Sequence, residues 1–115
     1  MIEQTPAMLT DEYRSKILRM LEEEPEISQR DLARELGISL GKTNYCLHAL
    51  MEKGLIKANN FKNSRNKKAY MYLLTRQGMT EKAHATVRFL DRKVAEYEAL
   101  RREIAVLKRQ MQDKV

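Results

Sequence analysis

The chain has 115 residues, which is enough for one domain with a single hydrophobic core and an extension, but not for two domains. Hydrophobic residues make up 43% of the sequence and charged residues 33%, so we expect a folded protein rather than a disordered one. The net charge of +6 suits a polyanionic partner such as nucleic acid.

Several functional classes lack their sequence signatures. No apolar run approaches the roughly 20 residues that span a bilayer, and no secretory signal follows Met1, so we expect a cytoplasmic protein without membrane contact. Cys46 is the only cysteine and His48 and His84 are the only histidines, so neither a disulfide framework nor a metal site is predicted. Without a glycine-rich phosphate loop or a serine nucleophile elbow, we expect no cofactor and no enzymatic activity.

The charge is distributed unevenly along the chain. Residues 1–36 carry a net charge of −4, residues 37–80 carry +7 and residues 81–115 carry +3. Between Lys53 and Thr80 there are seven Lys or Arg residues and no acid, whereas solvated surfaces usually mix both signs. This bias predicts a surface that faces phosphate groups.

The first half of the sequence predicts two helices in quick succession. Thr10 is a candidate N-cap of a first helix that Pro25 ends. Ser28 is the candidate N-cap of a second helix of about two turns, and Gly37 follows it where a left-handed C-terminal residue is common.

A third helix follows after a tight turn, with Ser39 as its candidate N-cap and Gly54 at its end. Its predicted buried stripe consists of Thr43, Cys46, Leu47 and Leu50. On this projection Cys46 is an inert core residue, and the alternative is a redox sensor. Two helices joined by a short glycine-containing turn form a helix-turn-helix, whose second helix can enter the major groove.

Residues 55–57 and 69–74 read as two short strands, and the polar, basic segment 62–68 lies between them. A β-hairpin directly after the helix-turn-helix is typical of the winged variety. The predicted fold is therefore mainly α with a small β-hairpin.

From the candidate N-cap Thr75, the sequence reads as one long helix with a possible bend at Gly78. Its apolar positions recur at steps of three and four, as in a coiled coil, with one irregularity between Tyr97 and Leu100. We predict dimerisation through this helix, and the alternative is packing against the chain's own domain. The predicted dimerisation residues are Val87, Leu90, Val94, Tyr97, Leu100, Ile104, Leu107 and Met111.

The segments 28–33 (SQRDLA), 36–39 (LGIS), 50–56 (LMEKGLI) and 74–78 (LTRQG) together resemble winged helix-turn-helix repressors of the MarR family. The resemblance covers roughly residues 10–95, and in particular the chain looks like the small group of EPS-associated MarR-type regulators, which are associated with exopolysaccharide gene clusters in bacteria. The resemblance implies a cytosolic, dimeric transcription factor that binds duplex DNA. Members often hold a small effector near their terminal helices. Because one long helix replaces the usual pair here, an effector is left open.

The expected organisation is an N-terminal extension at residues 1–9, a winged helix-turn-helix domain at 10–76 and a C-terminal dimerisation helix at 77–115. The outward face of the third helix carries the candidate base-reading residues, because its N-terminal part enters the groove. Asn can pair with adenine edges, and Lys can reach guanine or phosphate. With the cap included, these candidates are Ser39, Gly41, Lys42, Asn44, Tyr45 and His48. The alternative is an ordinary solvated helix face.

Two further groups are candidates for contacts with the DNA backbone. The basic wing suits phosphates or, for Arg65, the minor groove, and its candidates are Lys62, Arg65, Lys67 and Lys68. The start of the second helix offers Ser28, Gln29 and Arg30, although capping alone explains Ser28. The leading hypothesis is a regulator that binds a pseudo-palindromic site as a homodimer. The alternatives are an interaction adaptor that uses the long helix, and a non-specific nucleic-acid-binding module.

Overall fold

The structure, a computed structural model, describes residues 9–62 and 68–113. It confirms a mainly α fold with one hairpin and a long C-terminal helix. The elements in chain order are α1 (Asp11–Glu23), α2 (Gln29–Leu36), α3 (Leu40–Glu52), β1 (Ile56–Lys62), β2 (Lys68–Leu74) and α4 (Arg76–Asp113).

Side-chain caps begin the first three helices where the sequence predicts them. Each cap hydroxyl accepts the backbone N–H three residues further on, at 3.0 to 3.3 Å, and the capping residues are Thr10, Ser28 and Ser39. Gly37 (φ 71°) directly after α2, and Gly54 (φ 75°) two residues after the end of α3, adopt the left-handed conformation. Short-range signals therefore set the boundaries of these helices.

The core lies between α1, α2, α3 and the root of the hairpin. The predicted stripe of α3 is confirmed, because Thr43, Cys46, Leu47 and Leu50 are all at most 1% exposed. Burial raises the pKa of the Cys46 thiol, as expected for a core cysteine. The side chains that meet this stripe include Ile17, Leu18, Leu21, Leu32, Ile56 and Tyr72.

The hairpin is longer than predicted. β1 and β2 pair antiparallel from Ile56 opposite Leu74 to Lys62 opposite Lys68, whereas the sequence predicted a first strand of only 55–57. Polar residues such as Asn59 have low strand propensity, but their backbone is paired by the apolar residues of β2. Pairing with β2 thus extends β1 beyond the residues whose own sequence favours a strand.

Thr75 and Gly78 fix the start of α4 against the end of α3. The Thr75 hydroxyl accepts the N–H of Gly78 at 3.0 Å, which confirms it as the cap, and donates to the carbonyl oxygen of Gly54 at 2.6 Å. A Cβ at Gly78 would overlap the carbonyl oxygen of Leu55. Close packing therefore explains this glycine, which the sequence had indicated as a possible bend.

The first half of α4 packs on α1 through polar pairs. Arg14 and Arg88 both bind the carboxylate of Glu81 at 2.7 Å, and Arg88 also reaches Asp11 at 3.0 Å. From Leu90 to Asp113 every side chain of α4 is exposed. Among the described residues, no helix has the length and apolar character that a membrane crossing requires.

We expect Glu81→Gln to lower the free energy of unfolding by about 1.5–3 kcal/mol, because Arg14 and Arg88 would lose a charged acceptor. Burial alone would raise the pKa of Glu81, but the two guanidinium groups outweigh it and hold that pKa below its usual value. A depressed carboxyl pKa stabilises the fold at neutral pH, and this contribution disappears as the pH falls through the lowered value. Urea unfolding against pH measures both effects.

Glu96→Gln is the matched control, because the Glu96 carboxylate pairs with Lys93 on the exposed face of α4. We expect it to change stability by less than about 0.5 kcal/mol. If the two variants lost the same amount of stability at a fixed protein concentration, the ion pairs between α1 and α4 would contribute no more than an exposed pair on α4.

Candidate nucleic-acid interface

The outward face of α3 is the centre of the candidate interface. Gly41, Lys42, Tyr45 and His48 are exposed, and Asn44 is half-buried at the edge of this face. The buried stripe of α3 packs against the core on the opposite side of the helix, so these side chains project away from the domain. The structure therefore brings the predicted base-reading residues together on one helical face.

Leu40 lies on the same face, one turn before Asn44, and sequence reasoning missed it. Its side chain is 41% exposed, close to the 39% of Tyr45. A large apolar side chain directly after the cap Ser39 is a weak signal, because most such residues are buried. Apolar contacts with thymine methyl groups are one use of such a side chain in a major groove.

The start of α2 lies against the root of the hairpin. The Gln29 amide donates to the Tyr72 hydroxyl at 2.9 Å, and the Tyr72 N–H donates to the carbonyl oxygen of Pro25 at 3.0 Å. Ser28 caps α2, and Arg30 is exposed. Ser28 and Arg30 thus present polar groups to solvent, while the Gln29 side chain joins α2 to β2.

The basic wing is described only in part. Lys62 and Lys68 pair across the far end of the hairpin, and Arg65 and Lys67 lie outside the described residues. Lys57, which the sequence analysis had not singled out, is exposed on β1 beside the buried Ile56. Because successive side chains of a strand point to opposite faces, the buried Ile56 already implies that Lys57 faces outward.

The predicted dimerisation residues form one exposed stripe on α4. All eight are between 43% and 70% exposed. The residues of α4 that are buried within the chain, Gly78 and Ala85, lie on the other side of the helix. The alternative to dimerisation, packing of this stripe on the chain's own domain, is therefore wrong for the described residues.

No cluster of three or more His, Cys, Asp or Glu residues suitable for a metal ion occurs within residues 9–62 and 68–113. The geometry that the chain offers is instead a capped, outward-facing helix beside a basic hairpin. Such an arrangement suits recognition of a grooved polyanion.

Residues 10–57 match the family described as winged helix-turn-helix DNA-binding. The chain therefore contains a winged helix-turn-helix DNA-binding domain, with α3 in the position of the recognition helix. No curated protein matches the sequence significantly.

Solved structures confirm the resemblance to MarR-type proteins at the level of the fold. ZitR of Lactococcus lactis is similar with a TM-score of 0.58 and 20% identity, over 86% of this chain and 64% of that protein. A MarR-family protein of Mycobacterium tuberculosis in complex with p-aminosalicylic acid gives 0.55 and 22%, over 85% and 75%. FabT of Streptococcus pneumoniae in complex with DNA gives 0.51 and 20%, over 88% and 70%. The chain spans less than two thirds of the length of ZitR.

Proposed function

We propose that the chain is a DNA-binding transcriptional regulator of the MarR type, and not an enzyme. It acts in the cytoplasm and binds a pseudo-palindromic operator in duplex DNA as a homodimer. Helix α3 enters the major groove, while the wing contacts the DNA backbone or the minor groove. From the resemblance to EPS-associated regulators, we further propose that its targets include exopolysaccharide genes.

The outward face of α3 is the observation that carries this proposal. It combines an amide, a phenol, an imidazole and an ammonium group on the first turns of a helix, and all but Asn44 are exposed. The acid-free basic segment that begins at Lys53 follows immediately. Recognition of base edges requires such polar side chains on a helix, and binding of phosphates requires basic residues. FabT, which shares the fold, has been solved in complex with DNA, and this supports DNA as the partner.

Selection of binding sites from random duplexes with the purified full chain tests this function. Recovery of an inverted-repeat motif supports a sequence-specific dimeric regulator. Equal affinity for all duplexes would favour the non-specific nucleic-acid-binding module. Absence of DNA binding would favour the adaptor, for which the exposed stripe of α4 is the specific observation.

We expect Asn44→Ala and Tyr45→Ala to cost about 1 to 3 kcal/mol on the selected site and much less on scrambled DNA, because only base edges differ between sequences. Lys67→Ala and Lys68→Ala should weaken binding to both duplexes about equally, because the phosphate charge is the same in every sequence. Fluorescence anisotropy on the two duplexes measures the difference.

Glu52→Gln is the control, because Glu52 is exposed on α3 but lies in its last turn. This variant should keep both affinity and discrimination. If the Asn44 and Tyr45 variants discriminated fully while the Lys variants did not, the assignment of α3 as the reading helix would be wrong.

A further inference from the structure

The apolar stripe of α4 has a symmetric spacing along the sequence. Together with Ala83, the eight predicted dimerisation residues form this stripe. Its members are Ala83, Val87, Leu90, Val94, Tyr97, Leu100, Ile104, Leu107 and Met111, separated by steps of 4, 3, 4, 3, 3, 4, 3 and 4. The steps read the same in both directions from Tyr97. The stripe therefore has two halves of equal length, a proximal half that lies opposite the α1 contact and a distal half beyond the domain.

We propose that a second copy of this chain covers the stripe, with the two α4 helices antiparallel and the twofold axis at Tyr97. This inference rests on the homodimer of the proposed function. In this arrangement each proximal residue meets the distal residue at the same distance from Tyr97 on the partner. The layers are then Ala83 with Met111, Val87 with Leu107, Leu90 with Ile104, and Val94 with Leu100.

The charge at Lys108 favours antiparallel over parallel pairing. Arg101 and Lys108 continue the seven-residue spacing of Val87 and Val94. A parallel pair would place each of these cations in a layer with its own copy, and like charges repel across such a layer. About Tyr97, an antiparallel pair instead places Lys108 level with the uncharged Thr86 of the partner subunit. Arg101 comes level with the partner's Lys93 but on the opposite side of the stripe, and the partner's Asp91, two residues away, lies on the same side as Arg101.

A second pair of opposite charges forms in the same arrangement. Lys93 lies on the same side of the paired helices as Glu103 of the partner subunit, two residues from the level position, on the other side of the stripe. Both cations already lie over aromatic rings on α4, Lys93 over Phe89 at 5.6 Å and Arg101 over Tyr97 at 5.9 Å. Their aliphatic stems can therefore cover the edges of the stripe while their charged ends reach the partner's carboxylates.

Side-chain volume favours the same orientation. The proximal half contains the small residues Ala83, Val87 and Val94, whereas the distal half contains Leu100, Leu107 and Met111. Antiparallel pairing places a small residue opposite a larger one in three of the layers, so the spacing between the helices stays even. Parallel pairing would put alanine on alanine at one end and methionine on methionine at the other, which packs less uniformly.

The arrangement also spaces the two DNA-binding domains. Ala85, the buried contact of α4 with its own domain, lies 12 residues before Tyr97. At 1.5 Å per residue, the two contacts lie about 36 Å apart along the paired helices. Half-sites one turn apart on DNA are separated by about 34–36 Å. Antiparallel pairing thus fits an operator whose half-sites lie one helical turn apart.

Cysteine cross-linking without DNA tests the orientation. Leu90→Cys and Ile104→Cys are made as separate chains, each is confirmed as a dimer by light scattering, and each is oxidised alone and as an equal mixture. In the antiparallel pair, Leu90 faces Ile104 of the partner subunit, while the two copies of Leu90 lie about 21 Å apart, beyond the reach of a disulfide. We expect a cross-linked dimer only in the mixture, in up to about half of the chains, because random re-pairing limits the share of mixed dimers.

The unmodified chain is the control, because Cys46 is 0% exposed and should not cross-link. Ala83→Cys and Met111→Cys form an independent second pair, which replaces the first if either of its chains is monomeric. Cross-linking of the single variants would establish parallel pairing and overturn the inference. Dimers without any cross-link, or a monomeric unmodified chain, would overturn it as well. Because DNA binding is measured separately on the unmodified chain, a wrong orientation of the helices is distinguishable from a failure of the proposed function, whereas a monomeric chain would contradict the homodimer of the proposed function as well.

Discussion

Raising the salt concentration from about 50 to about 200 mM is expected to weaken DNA binding by about 10⁴- to 10⁵-fold. The acid-free basic segment and Lys42 can neutralise about four to five phosphates in each subunit. Each neutralised phosphate releases counterions and contributes about −0.9 to the slope of log K against log salt, so a dimer should show a slope of roughly −7 to −9. Anisotropy titrations at several salt concentrations measure it.

Single lysine variants sharpen this prediction. Lys68→Ala removes one phosphate contact from each subunit and should make the slope shallower by about 2. Lys16→Ala is the control, because the Lys16 ammonium on α1 pairs with Glu12 at 2.8 Å, and its removal should leave the slope unchanged. A slope shallower than about −3 for the unmodified chain would mean that the hairpin does not lie on the DNA backbone.

Gly78→Ala is expected to lower the free energy of unfolding by about 3 kcal/mol, although alanine is a better helix former than glycine by about 1 kcal/mol. The added Cβ would overlap the carbonyl oxygen of Leu55 and lie 3.0 Å from its carbonyl carbon. That oxygen accepts the N–H of Thr75 at 3.0 Å, so it cannot retreat without loss of this bond. Denaturant unfolding at a fixed protein concentration measures the loss.

Gly41→Ala is the matched control, since Gly41 also lies near the start of a helix. The nearest atom to a Cβ at Gly41 is the Ser39 hydroxyl oxygen, at 4.0 Å. This substitution should raise stability by up to about 1 kcal/mol, because only the helix propensity changes. If both alanine variants were more stable than the unmodified chain, the close approach of α4 to Leu55 would not constrain position 78.

Much of the candidate site could be predicted because its signals are local. The outward side of α3 follows from the positions of Cys46 and Leu50, since a helix turns about 100° per residue and residues three or four apart share a face. The wing was predicted from its charge, but not the length of β1. The bond between Gln29 and Tyr72 spans 43 residues and has no local signature.

The sequence by itself determined the helix boundaries, the buried stripe of α3 and the apolar stripe of α4, because caps and periodicity act over a few neighbouring residues. Only the tertiary structure decided which side of α4 packs on α1 and why position 78 is a glycine. The ion pair of Arg14 with Glu81 joins residues 67 positions apart, and the carbonyl oxygen of Leu55 meets Gly78 across a whole hairpin. Such contacts depend on how complete elements pack together, so no short segment of the sequence contains them.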